Sequence, residues 1–291
     1  MLTHLKPILE KAQQDNYGLG AFNIVNMETA LAIVKAAKDL KAPVIIQVSE
    51  TTIEYAGLNT IVAIVKTLAE DEANKIPVAL HLDHGKSFES VKKCIDAGFS
   101  SIHIDVSLLP FKDNIELTKQ AVAYAHEHNV LVQGELGILK GVEDKVQTPT
   151  EMAPFLTDPD EAKEFVEATG VDTLAVSIGN MHGIEKIRQG NVPDLDLARL
   201  EKIHEKIPAT PIVLHGASGV NQEQISAAIQ RGVRIINIDT ELRLAFTEAI
   251  KNIFNQDALV YDPRKVLSPA IAAVQKIVAE KIKMFGSKNK A

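Results

Sequence analysis

Eight times along the 291-residue chain, a short strand-like, mostly apolar run gives way to a turn and then to ten or more residues at helical spacing. The strand candidates are residues 18–23, 43–49, 77–83, 101–107, 131–136, 172–178, 211–215 and 234–239. Strands that alternate with helices read as parallel βαβ units, because parallel neighbours need a long crossover and a helix supplies it. Eight such units in a chain of this length predict an α/β fold, a closed (β/α)8 TIM barrel. The expected organisation is a single domain over 1–291 with a C-terminal helical extension at about 263–285. The rival, an open doubly wound sheet, would carry G-x-G-x-x-G after its first strand. The segment GLGAFNIVN (18–26) lacks that spacing.

Helix punctuation supports the same pattern. Asp158, Pro159 and Glu161 supply an N-cap, a first-turn proline and a capping-box acid, and Gly170 ends that helix. Asn221 and Gln224 repeat the device, with Gly232 at the far end. Phe88, Val91, Cys94 and Ile95 fall on one helical face. Two connections, 137–157 and 183–196, lack periodicity and carry charges. Loops this long in a compact fold are usually functional, and both follow strands, on the face where barrels build their sites.

Several function classes drop out. No apolar stretch approaches the ~20 residues of a membrane span. Residues 1–18 carry Lys6, Glu10, Lys11 and Asp15 where a signal peptide keeps an apolar region, so a first amphipathic helix and a cytoplasmic location are expected. The one cysteine, Cys94, excludes an intrachain disulfide and a thiolate metal cluster. A formal charge of −7 without a basic run argues against a nucleic-acid face but leaves an anionic small substrate open.

The chemistry gathers at the strand ends: Asn23, Ser49, Asp83 with His84, Asp105 with Ser107, Glu135, His182, His215, and Asn237 with Asp239. Core strands prefer apolar residues, so this collection points to an active site at the barrel mouth. His84, His182 and His215 each follow an apolar run and precede a glycine. Three neutral imidazoles from separate strands make a catalytic metal site with one open position. Asp83 directly precedes His84, and adjacent residues of an extended strand face opposite ways, so one binds metal while the other serves as acid or base. His81 and His103 are in phase with Asp83 and Asp105 and read as inward-facing supporting groups; His4, His126, His128 and His204 read as ordinary. The small residues of His215-Gly216-Ala217-Ser218-Gly219, before a capped helix, suit a phosphate.

With these residues in view, the chain resembles the class II, metal-dependent fructose-bisphosphate aldolase family, which includes tagatose-bisphosphate aldolases. The resemblance rests on HLDHG (81–85), GELG (134–137), GVED (141–144), HGIEK (182–186), LHGASG (214–219) and NIDTELR (237–243), and extends through DPRK (262–265) into the last helix. It implies that His84, His182 and His215 bind Zn2+, with Co2+ or Mn2+ as substitutes. It further implies that Asp83 handles the C4 hydroxyl proton and Glu143 the C3 proton, and that Glu135 and Asp105 hold a secondary metal position. Gly183, Lys186, Gly216, Ser218, Asn237 and Asp239 would line the site of the ketose half and its phosphate. Asn23, Ser49 and Arg243 would serve the other phosphate, with Arg264 reaching in from a neighbouring subunit. Implied partners are a phosphorylated ketose and triose phosphates, a Na+ or K+ ion, and further copies in a homodimer or homotetramer, with no nucleic acid and no membrane.

The chain departs from the family pattern at His103, Val106, Gln133, Lys140 and Asn180-Met181. His103 stands where an apolar residue is frequent, and Gln133 stands where a glutamate is common, the latter bearing on the secondary metal position. Asp239 and Arg243 favour fructose over tagatose bisphosphate. Three alternatives fit less well. A barrel hydrolase would need H-x-H on its first strand, a pentose-phosphate epimerase has no use for GVED or HGxxK, and a non-catalytic partner subunit would have lost ligands.

Overall fold

Period-two alternation along each strand sorts the side chains of this protein into two separate apolar clusters. In the computed structural model, which describes residues 2–73, 75–139 and 155–291, the strands are β1 (Leu19–Asn23), β2 (Val44–Ser49), β3 (Val78–Gly85), β4 (Ser101–Ile104), β5 (Leu131–Leu136), β6 (Thr173–Val176), β7 (Ile212–Leu214) and β8 (Val233–Ile238). They pair in sequence order, all parallel, and β8 closes on β1 through Leu19↔Ile235 to Phe22↔Ile238. All eight predicted strands are present. The largest boundary change is at β4, which stops at Ile104, so that Asp105 and Ser107 lie just beyond the strand.

The outward set (Phe22, Ile46, Leu80, Ile102, Val132, Leu174, Leu214 and Ile236 among it) packs against the surrounding helices. The inward set of the lower barrel is Leu19, Ala21, Ile45, Ala79, Ala175, Val213 and Ile235. The helix α1 (Leu5–Gln14) joins that inner cluster through Leu5, Ile8, Leu9 and Ala12, so an amphipathic helix buries its apolar stripe against the barrel interior. Higher up, the inward positions turn polar: Gln47, His81, His103, Gln133 and Asn237 are buried, followed by Asn23, Asp83, Glu135 and Asp239. The interior is therefore packed apolar at the strands' N-terminal end and chemically equipped at the other, as the fold's usual division of labour requires.

The helices α2 (Met27–Leu40), α3 (Glu50–Ala56), α4 (Leu58–Thr67), α5 (Phe88–Asp96), α6 (Phe111–Glu127), α7 (Pro159–Thr169), α8 (Glu185–Arg188), α9 (Leu197–Lys206), α10 (Gln222–Gln230) and α11 (Thr240–Gln256) lie along the connections, and α4 runs into a π-helical turn at Leu68–Glu72. The last helix, α12 (Pro263–Met284), packs on α2 and α11. Asp158 caps α7 by accepting from the amides of Asp160 and Glu161, and Gly170 ends it in the left-handed region, φ +72°. Glu161 makes no reciprocal capping bond, so only half of the expected box forms. Asn221 caps α10, but Gln224 turns away to accept from the amide of Leu195. No helix among the described residues is long and apolar enough to cross a membrane.

Candidate metal centre and active site

A register shift in β3 brings two consecutive functional residues to the same place. Leu82 pairs with Ile102 and Gly85 with Ile104, so Asp83 and His84 together oppose the single residue His103. This is a β-bulge, and His84 takes φ +50°, a left-handed backbone that a non-glycine residue adopts at some cost. The bulge removes the constraint that neighbours on a strand face opposite ways. Both side chains reach the mouth, where they line one cavity of about 220 Å3 with Asn23, Ser49, Asp105, Glu135, His182 and Arg243.

The three histidine rings converge from β3, the loop after β6, and the end of β7. Ring centroids are 4.7 Å apart for His84–His215, 5.5 Å for His84–His182 and 5.9 Å for His182–His215. The donor atoms of Asp83, His84, His103 and His215 all lie within 4.8 Å of one another, a set able to hold a metal ion, and His182 stands beside that set rather than within it. His84 Nδ1 lies 2.7 Å from Asp105 Oδ2, the carboxylate partner that fixes a metal-ligating histidine and leaves Nε2 for the ion. Asp105 also accepts from the hydroxyl and amide of Ser107. The donor chemistry of the set therefore fits a divalent cation.

The electrostatics agree. Burial pulls the His215 imidazole well below its usual range, and the neighbouring His84, His103 and His182 push the same way, so it stays neutral with a lone pair available. Burial also opposes charge on His84, but Asp83, Asp105 and Glu135 outweigh it and hold that imidazole well above its ordinary value. Asp105 is held well below the carboxylate range, because the hydrogen bond and charge of His84 overcome the effect of burial. Positive charge is thus favoured at the centre of the mouth.

Asp83 is almost wholly enclosed. Asn23 donates to its Oδ2 at 2.7 Å, and its Oδ1 sits 3.8 Å from His84 Nε2. A carboxylate oxygen fixed beside the metal position can exchange a proton with a substrate hydroxyl bound there. Glu143, the other expected acid/base, lies outside the described residues, as does Lys140.

The expected phosphate end is built from close backbone. Gly216 sits at φ +59°, and a Cβ there would collide with the carbonyl oxygen of Met181, so only glycine fits. Lys186 on α8 is buried, with Nζ donating to the carbonyls of Met181 and Gly216 at 2.5 Å each. Ser218 is buried in the same turn, and Gly183 takes φ +95°. Asn237 Nδ2 lies 3.2 Å from His215 Nδ1, while Asp239 accepts from Arg243 Nε at 2.7 Å. Gly183, Lys186, Gly216, Ser218, Asn237 and Asp239 do not line the cavity that Asp83 and His84 share, and neither does Arg264, which stands exposed and paired with Asp262 through Nε and Nη2.

Three groups matter more than their sequence signal suggested. Asn180 ties the end of β6 to β7 by donating to the carbonyl of His215 at 2.9 Å and accepting from the amide of Ile178. Gln133 places its amide 2.7 Å from His215 Nε2. His103 sits fully buried at the centre, its ring 4.7 Å from that of His84 and 5.1 Å from that of His215. A polar residue at an inward strand position was the available signal for the last two. His81 instead pairs with Ser101 at 2.6 Å, lower in the barrel.

Comparison with known proteins agrees with this geometry. The family model described as fructose-bisphosphate aldolase class-II matches residues 3–290. A fructose-bisphosphate aldolase of Geobacillus stearothermophilus is 44% identical over 291 residues, covering 100% of this chain and 99% of that protein. One from Staphylococcus aureus is 43% identical over the same 291 residues. Among solved structures, the YdjI aldolase of Escherichia coli K12 superposes with a TM-score of 0.84 at 33% identity, covering 100% of both chains. The chain belongs to the class II fructose-bisphosphate aldolase family.

Proposed function

We propose that this aldolase reversibly cleaves fructose 1,6-bisphosphate to dihydroxyacetone phosphate and glyceraldehyde 3-phosphate, using Zn2+ held by His84, His182 and His215. The observation that carries the reading is the convergence of three imidazoles beside the enclosed carboxylate of Asp83. A divalent ion in that set supplies Lewis-acid stabilisation of the charge left when a C–C bond beside a carbonyl breaks, worth several kcal/mol.

The chain's own residues do the rest. Asp83, oriented by Asn23, takes the C4 hydroxyl proton as the C3–C4 bond breaks. C4 leaves as the aldehyde carbon of glyceraldehyde 3-phosphate, and the electron pair stays on C3 of the other half. Glu143 returns a proton to C3, giving dihydroxyacetone phosphate. Lys186, Gly183, Gly216 and Ser218 take the ketose-side phosphate, with Asn237 and Asp239 on its hydroxyls and a Na+ or K+ ion nearby. Asn23, Ser49 and Arg243 take the distal phosphate, and Arg264 of a second copy completes it in a homodimer or homotetramer. The family resemblance, in which tagatose-specific members often lack residues matching Asp239 and Arg243, favours fructose over tagatose bisphosphate as substrate. The activity belongs to glycolysis and gluconeogenesis in the cytoplasm.

The test is chelation by EDTA followed by assay with each bisphosphate before and after adding Zn2+, Co2+ or Mn2+. Cleavage should vanish with the metal, return with Zn2+, and favour fructose 1,6-bisphosphate. Activity that survives complete metal removal, or that borohydride abolishes in the presence of substrate, would replace this mechanism with one through a lysine Schiff base.

A further inference from the structure

The seam between β6 and β7 is the shortest in the barrel, and two of the three imidazoles stand on either side of it. Among the described residues it has two register pairs, Leu174↔Ile212 and Ala175↔Val213, fewer than any other seam. The strands end at Val176 and Leu214, so the ladder stops before it reaches His215 or the loop that carries His182. Beyond that point the backbone polar groups need other partners.

Asn180 supplies them. The chain turns back at Gly179, φ +94°, and the Asn180 side chain then bridges the two strand ends. Its Oδ1 accepts from the amide of Ile178 at 2.8 Å, and its Nδ2 donates to the carbonyls of Val176 at 3.3 Å and His215 at 2.9 Å. With donor and acceptor on one planar amide, it does what the peptide group of a further register pair would do. Asn180 is buried, so losing it leaves backbone groups unsatisfied away from water. Lys186 Nζ crosses the same gap between the carbonyls of Met181 and Gly216, one residue further along each chain. That second strap remains when Asn180 is replaced.

The His182 and His215 rings are the widest-spaced pair of the three, at 5.9 Å between centroids, and His182 stands beside the tightest donor set. An opening of this seam therefore carries His182 out of reach first. We propose that Asn180 is a positioning residue: by extending the β6–β7 ladder with its side chain, it fixes His182 against His215 and so sets the affinity of the mouth for a divalent ion. The proposal rests on the reading that these two imidazoles and His84 hold one ion. All three bonds of Asn180 go to backbone, so it acts through the placement of the rings.

The experiment titrates the metal-stripped full chain with Co2+ against a competing chelator, for wild type, Asn180→Leu, Asn180→Ser and His182→Ala. The visible spectrum of bound Co2+ and the urea midpoint of each metal-free protein are recorded alongside. Leucine keeps the volume without the hydrogen bonds, and serine fits the space but is too short to span the seam. Both Asn180 variants should bind Co2+ at least about tenfold more weakly and shift its ligand-field bands. A merely structural role would lower the urea midpoint and leave affinity and spectrum as in wild type. That result in either folded variant overturns the proposal. Coupling is reciprocal, so a bound ion must in turn hold the strap closed. In the unmutated protein Zn2+ should slow hydrogen exchange of the Asn180 side-chain amide, and unchanged exchange overturns the proposal even if neither variant folds. Wild type that binds no Co2+, or His182→Ala that binds it as tightly as wild type, would instead sink the three-histidine reading, and the strap's role with it.

Discussion

The site's chemistry depends on His84 standing in a backbone conformation that its residue type rarely adopts. Period two alone puts Asp83 and His84 on opposite faces, and no feature of HLDHG announces a bulge. The two residues were therefore legible as an acid and a ligand, but not as cavity neighbours. Replacing Asp83 by Ala should lower turnover by about 10²–10⁴-fold while the ion remains bound, because the base is lost and the imidazoles are kept. Steady-state rates combined with metal analysis check this, and near-normal turnover would refute the role. A second residue-scale prediction concerns Tyr17, buried in the inner cluster, whose hydroxyl has no hydrogen-bond partner among the described residues. Burial, aided by the charge of Asp15, pushes its phenol up to about 12, above the usual ~10. The sign follows from linkage. Below about pH 10 both states keep the proton, and between about 10 and 12 only the native state does, so stability falls across that window as pH rises. Tyr17→Phe should lose little or nothing at pH 8 and should escape that part of the alkaline loss. Urea midpoints at pH 8 and pH 11 decide it, and equal alkaline losses in both proteins would count against the account.

Elements of ordinary length were readable because their periodicity repeats, and short or cooperative features were not. All eight strands were legible from short apolar runs between turns, several preceded by proline, as at Pro43, Pro77 and Pro211. The helix α8 has only four residues, too few to show a period, yet it carries the buried Lys186. Glu161 and Gln224 were expected to close capping boxes, but Glu161 makes no capping bond and Gln224 is drawn to Leu195. The complete box belongs to α2, where Asn26 accepts from the amide of Thr29 and Thr29 Oγ1 accepts from the amide of Asn26. That helix packs on α12, so its start sets the seat of the C-terminal helix. Asn26→Ala should cost about 1 kcal/mol, read as a lower urea midpoint with unchanged denaturant slope. A stability loss indistinguishable from zero would show that the box is redundant with packing.

At the scale of the whole molecule, the polar upper barrel is carried by the apolar lower one. The layer of Leu19, Ile45, Val213 and Ile235 with α1 beneath it supplies packing that the buried Gln47, His81 and Gln133 cannot. A bound ion should then act as a staple across β3, the loop after β6 and β7, since a ligand that binds only the native state stabilises it by mass action. Chelation should lower the melting temperature and Zn2+ should restore it, with the size of the shift growing with free metal concentration. An unchanged melting curve would mean that the rings hold no ion. The sequence by itself determined the barrel and the polar end of its strands, because alternation and strand-end composition are local and repeat eight times. Only the tertiary structure decided that β3 bulges, that Gln133 and Asn180 both engage His215, and that His103 faces Glu135. Those outcomes depend on the register between strands distant in the chain, which no local pattern encodes.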